Sequence, residues 1–192
     1  MKQHLNIAVR FTIVTTIIFG LLYPLSLTGV SQWLFPHQAN GSLLSKDGVI
    51  HGSQLIGQGF VADKYFNSRR SAAGAGYDAT ASGGSNLGPT NKQLTDRVKT
   101  DVVRLQQENP GIAIPADMVT TSGSGLDPDI SPASAEFQAP RVARARGISL
   151  DALRPLLVKH LQTRQYGLFG EARINVLELN LELDEKYPTT HP

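Results

Sequence analysis

Phe11 to Phe35 reads FTIVTTIIFGLLYPLSLTGVSQWLF. It contains no Asp, Glu, Lys or Arg, and its first half is almost continuously apolar. Twenty-five residues rising about 1.5 Å each make a helix of about 37 Å, against a bilayer hydrocarbon core of about 30 Å. A single membrane-spanning helix follows, with Pro24 as a tolerated kink. Trp33 and Phe35 suit the headgroup belt, and Thr12, Thr15, Thr16 and Gly20 offer small surfaces to other membrane helices. A cleaved secretory leader would need an A-x-A-like site, which Gly29-Val30-Ser31 does not supply. A buried core helix would rarely run so long without a charge. Lys2 and Arg10 precede the span, and the next basic residue after it is Lys46. By the positive-inside rule the N-terminus is cytoplasmic and everything after Phe35 lies outside.

Lys2 and Arg10 also account for the whole net charge of +2, so the rest of the chain is neutral. The isoelectric point near 9.0 therefore argues for no nucleic-acid surface. Cysteine is absent, which excludes disulfides, thiol catalysis and thiolate metal sites. The expected organisation is a cytoplasmic tail (1–10), the span (11–35), a linker (36–48), one soluble α+β domain (49–184) and a tail (185–192). The fold class is α+β on a single N-terminal transmembrane helix.

Within the soluble part, Val49 to Phe60 reads as a short strand or two with a bend. Leu94, Val98, Val102 and Leu105 form one helical stripe after a cap at Thr90 or Asn91, and Asn109-Pro110-Gly111 ends it. Residues 112–121 suggest a short strand. Ser131-Pro132 opens a helix to Arg146, stopped by Gly147 and kinked or divided by Pro140. Its Arg141, Arg144 and Arg146 are expected on a solvated or partner-facing surface. Ser149 caps a further helix that is regular after Pro155 and is stopped by Gly167. Arg173 to Leu183 alternates apolar and polar residues, which predicts a half-buried strand.

Two stretches fit no core element. Ser82-Gly83-Gly84-Ser85-Asn86-Leu87-Gly88-Pro89-Thr90-Asn91 and Ser122-Gly123-Ser124-Gly125-Leu126-Asp127-Pro128 are rich in glycine and serine without repetition. They read as loops whose backbone approaches something closely. The five histidines show no metal-ligand spacing, and the run from Asp127 lacks the glycine and glutamate of a calcium loop. No nucleophile elbow or Walker lysine motif occurs. The residues thus give an anchored domain with no catalytic set and no metal site.

These two loops resemble the C subunit of the Kdp-type potassium-transporting ATPase. Gly52-Ser53-Gln54-Leu55-Ile56-Gly57-Gln58, Tyr65-Phe66 with Arg69, Arg141-Val142-Ala143, Ala145-Arg146-Gly147, Gly170-Glu171 and Asn175-Val176-Leu177 extend the resemblance in order along the chain. Arg70 and Ala172 stand where the family usually has proline, and Asp129 where it usually has histidine. The resemblance implies a non-catalytic subunit of a bacterial inner-membrane pump. Its partners would be an ATP-hydrolysing P-type subunit, a potassium-selecting channel-like subunit and a small accessory subunit. It also implies a catalytic chaperone that raises ATP affinity in a ternary complex, with potassium as the transported ion. Ser82, Gly83, Gly84, Ser85, Asn86, Gly88, Pro89, Asn91, Ser122, Gly123, Ser124, Gly125 and Asp127 then become candidate nucleotide or partner-binding positions. Arg69, Arg141, Arg144 and Arg146 are candidate interface residues. The charge bias favours a different use, an external domain that covers the potassium entrance without touching ATP.

Overall fold

The computed structural model describes residues 1–189 and divides into two compact units, Met1–Ser53 and Gln54–Pro192.

The first unit begins with α1, Lys2–Leu34, a helix long and apolar enough to cross a membrane and buried nowhere along its length. It starts nine residues before the apolar stretch, so the expected N-terminal tail is helical. Its middle, Thr16–Leu22, widens into a π-helical segment that ends just before Pro24. Widening around Gly20 accommodates the amide missing at Pro24, which an α register would leave as a gap in the ladder. A short helix α2, Pro36–Ala39, follows. Strands β1, Leu43–Lys46, and β2, Val49–Ser53, then pair antiparallel around Asp47-Gly48. Asp47 and Gly48 both have positive φ, the backbone a two-residue hairpin turn requires. Residues 36–48, expected as a linker, are thus largely structured.

The second unit carries the core. Helix α3, Lys92–Glu108, is capped by the Asn91 side chain, which accepts from the amides of Gln93 and Leu94. Of the expected stripe only Leu105 is fully buried; Leu94, Val98 and Val102 are half-buried, while Asp101 is buried beside Arg70. Residues 112–121 form no strand, only a 3-10 turn at Ala116–Met118. Helix α4, Pro132–Arg146, is capped by Ser131 and runs undivided through Pro140 to the left-handed Gly147. The lost hydrogen bond at Pro140 is offset by burial of Ala135, Ala139, Val142 and Ala143 on one face. Helix α5, Leu150–His160, capped by Ser149, is helical on both sides of Pro155. It ends at His160 and not at Gly167, because Leu161–Gln162 (β4) pairs with β5, Arg173–Asn175. Strand β3, Asp129–Ile130, pairs on the other side of β5, giving the antiparallel order β3-β5-β4.

The expected C-terminal strand is overturned. After Asn175 the chain forms helix α6, Val176–Lys186, with the Asn175 side chain accepting from the Glu178 amide. Val176, Leu179 and Leu183 fall at helical spacing and enter one core with Phe66, Ile130, Ile174, Val142 and the leucines of α5. The alternating run from Leu177 satisfies both periods, and the cap decides.

Candidate functional site

Segment 60–70 has no regular secondary structure, yet five successive carbonyls in it are satisfied. Arg141 donates to the carbonyls of Asp63 and Tyr65, and Arg146 to that of Lys64. The Asn180 carboxamide accepts from the Phe66 amide and donates to the Phe66 carbonyl, both at 2.9 Å. Gln138 does the same for Asn67. Asn180 and Gln138 are each 1% exposed. Arg146 is also tied to Asp184 at 2.8 Å and lies 5.2 Å from the Tyr65 ring centroid. Arg141 holds Glu108 at 2.8 Å. The expected arginine surface is therefore corrected. Arg141 and Arg146 face inward as backbone donors, and Arg144 alone of the three is exposed. The pattern was present in the sequence: Gln138, Val142 and Arg146 recur every four residues on the face that carries Ala135 and Ala139.

This held segment presents the two Gly/Ser loops to each other. The Gly83 amide donates to the Ser124 carbonyl at 2.8 Å, and the Ser82 hydroxyl to the same carbonyl at 3.0 Å. The Thr121 hydroxyl lies 3.5 Å from that of Ser85. A Cβ on Gly84 would stand 3.2 Å from the Gly123 carbonyl oxygen. One on Gly125, whose φ is +67°, would stand 2.5 Å from the Gly83 carbonyl oxygen. The glycines are needed because one loop's backbone packs directly on the other's. Below them Ser71 is a hub: its hydroxyl donates to the Gly125 carbonyl and accepts from the amides of Ala73 and Tyr77. Tyr77 is held in the left-handed region at φ 55°, with its hydroxyl on the Arg69 carbonyl at 2.8 Å. Burial raises the Tyr77 phenol's pKa, against the pull of Arg70.

Asp127 closes the junction. Its Oδ2 takes Arg69 at 3.1 Å and its Oδ1 accepts the Asp129 amide at 3.0 Å, an Asx turn. Arg69 reaches on to Thr120 and to the Thr121 carbonyl. Asp129 pairs with Arg173 at 2.9 Å; burial pushes its carboxyl above the ordinary range, with Arg173 pulling it down. The Asp117 carboxyl is pushed up by burial, but hydrogen bonds from Ser134 and Ser131 outweigh that and hold it below the usual range. Of the remaining candidates, Gly88 and Asn91 serve the start of α3, Asn91 donating its amide to the Gly88 carbonyl at 3.0 Å. Pro89 stands between them. Asn86 lies in the left-handed region at φ 51°. Among the described residues no three His, Asp or Glu side chains gather as a metal would require.

Residues 5–185 match the sequence model of the family described as KdpC, K+-transporting ATPase, c chain. The chain belongs to the KdpC family. A relative from Koribacter versatilis is 55% identical over 192 residues, covering all of both chains. One from Caulobacter vibrioides is 56% identical over 189 residues, covering 98% of this chain and 96% of the relative. One from Bradyrhizobium diazoefficiens is 52% identical over 196 residues, covering 96% of this chain and 98% of the relative. Each of these is named as the KdpC subunit of a potassium-transporting ATPase. The resemblance read from the Gly/Ser loops and the arginine motifs thus leads to the family that the full-length match shows. Of the KdpC-family motifs, the loops form the junction and the Arg141–Gly147 motif fastens residues 63–65.

Proposed function

We propose that this chain is the non-catalytic C subunit of an ATP-driven potassium pump, anchored by α1. It would hold together the ATP-hydrolysing, potassium-selecting and accessory subunits. The match over residues 5–185 carries this reading. The Gly/Ser junction is its docking platform. Support comes from Gly84 and Gly125, whose close approaches are to this chain's own backbone, so at these two points the loops close on each other into a pre-shaped surface. Purification of the pump in detergent tests both parts. The wild-type chain carries the large subunits with it; Gly125→Ala, which forces the loops apart, lowers complex yield severalfold. Full yield with a displaced junction removes the docking role.

A second reading concerns the side of the membrane. Lys2 and Arg10 before the apolar helix, with no further basic residue until Lys46, favour an external domain that covers the potassium entrance. Raising the ATP affinity of the hydrolysing subunit in a ternary complex requires instead a cytoplasmic junction. Val61 is 97% exposed and the chain has no cysteine, so Val61→Cys supplies one reporter thiol. Labelling of intact cells by a membrane-impermeant maleimide supports the external reading. Labelling only after lysis supports the ATP-affinity role.

A further inference from the structure

Strands β4 and β5 are joined by a turn whose residues 163–171 are all exposed. Its tip, 165–170, carries no charged residue. Gln165 and Phe169 bridge across it, and beyond them Tyr166 is 84% exposed, Leu168 75% and Phe169 66%. Nowhere else in the described part of the second unit do three exposed large apolar residues fall within four positions. Single exposed apolar residues are ordinary on a protein surface; a gathered set marks a contact.

The tip also uses up its own backbone donors. The Gln165 amide donates to the Phe169 carbonyl at 2.9 Å and the Gly167 amide to the Arg164 carbonyl at 3.0 Å. The amides of Leu168 and Phe169 both donate to the Gln165 carbonyl, at 3.1 and 3.0 Å. An element that enters hydrocarbon must satisfy its backbone internally, whereas one that docks by adding a strand keeps its donors free. At the base of the tip Arg164 and Glu171 pair at 2.6 Å, so the charges that bracket it cancel.

A bilayer is within reach of this tip. Helix α1 ends at Leu34 and the second unit starts at Gln54, leaving only residues 35–53 between them. Even fully extended, at about 3.4 Å per residue, that stretch reaches about 65 Å. The second unit of a chain anchored by α1 therefore stays beside the membrane.

We infer that the tip Tyr166-Gly167-Leu168-Phe169 dips into the interface of a lipid bilayer, giving the second unit its own hold on the membrane. Leu168 and Phe169 enter the acyl boundary, and Tyr166 takes the headgroup level, where its ring and hydroxyl both find their medium. Because the bracketing charges cancel, apolar burial drives the contact and an uncharged lipid suffices. The inference rests on α1 as the anchor and holds for either side of the membrane.

Spin-label accessibility in the full chain, reconstituted into phosphatidylcholine vesicles, tests this. The chain has no cysteine, so Tyr166→Cys places one label on the tip and Val61→Cys a reference label elsewhere in the same unit. Oxygen should reach the label at 166 severalfold better than a water-soluble nickel chelate does, with the order reversed at 61. Adding Leu168→Asp and Phe169→Asp, both at exposed positions, should return the label at 166 to the water pattern with an unchanged circular dichroism spectrum. Flotation of the chain with the vesicles reports the anchor separately. A chain that stays behind overturns the anchor and this inference together; one that floats with a water pattern at 166 overturns this inference alone. A lipid pattern that fades as the protein is diluted into more lipid assigns the tip to a second copy. Closure of 166 to both reagents once the large subunits are bound assigns it to a subunit. Either result overturns the inference, as does a lipid pattern that survives the two Asp substitutions.

Discussion

Two irregular regions lie side by side in the second unit and are held by opposite means. Segment 63–67 is fastened by side chains from afar: Gln138, Arg141, Arg146 and Asn180 take its carbonyls one by one. The Gly/Ser junction is fastened by backbone on backbone, with the absence of side chains as the condition for contact. Long-range side-chain donors make a loop tolerant of its own sequence wherever its side chains face solvent, as at Asp63, and intolerant of changes in distant helices. Backbone contact does the reverse.

The comparison is most easily broken at Asn180. Asn180→Ala leaves the Phe66 amide and carbonyl buried without partners and should destabilise by about 4 kcal/mol, lowering Tm of the full chain in detergent by roughly 10 °C. A loss under about 1 kcal/mol would mean that water replaces the carboxamide. At the junction, Gly125→Ala meets both the Gly83 oxygen and a positive φ, and should cost about 3 kcal/mol. Gly83→Ala is the control in the same loop. Nothing lies within 4 Å of its Cβ and its φ is not positive, so about 0.5 kcal/mol or less is expected. Equal effects of the two would dissolve the distinction between packed and spectator glycines. Ser82→Ala removes one exposed hydroxyl from the Ser124 carbonyl and should cost about 0.5 kcal/mol by denaturant titration.

The smallest effect sharpens the account of α6. Hydrogen bonds from Lys159 and Lys186, with His160, hold the Glu182 carboxyl down to about 2. A depressed carboxyl stabilises the fold above its unfolded pKa of about 4.3 and loses that contribution as pH falls toward 2. Acid unfolding of wild type should therefore steepen below about pH 4.5 relative to Glu182→Gln. Coincident profiles would show that these three contacts are too solvated to matter.

Much of this architecture was legible because its signals are local. Asn91, Ser131 and Ser149 each cap the helix read from them, and Gly147 ends the helix it was expected to end. The apolar run of α1 needed only a count of charges. The C-terminal helix was misread because Leu177 to Leu183 fits periods of both 2 and 3.6, and the Asn175 cap went unweighed. Arg141 and Arg146 were misread because charge is ordinarily solvent-facing: the spacing of Gln138, Val142 and Arg146 marks a buried face, but Arg141 lies outside that spacing and the carbonyls that need donors are about 80 residues upstream. At the candidate site, the glycine-rich loops correctly signalled close approach, but not that each loop was the other's partner.

The five fastened carbonyls have a consequence for how the chain can drift under mutation. Because the helices grip peptide units, the identity of a residue whose side chain faces solvent is nearly invisible to them, whereas Phe66 and Tyr65 are held by their side chains as well. Asp63 is exposed and offers its carbonyl. In a library randomised at 63 together with 138, 146 and 180, position 63 should accept most residues and the three distant positions few beyond their own. Sequence constraint in this protein is thereby displaced from the stretch that needs shaping onto helices far away in the chain.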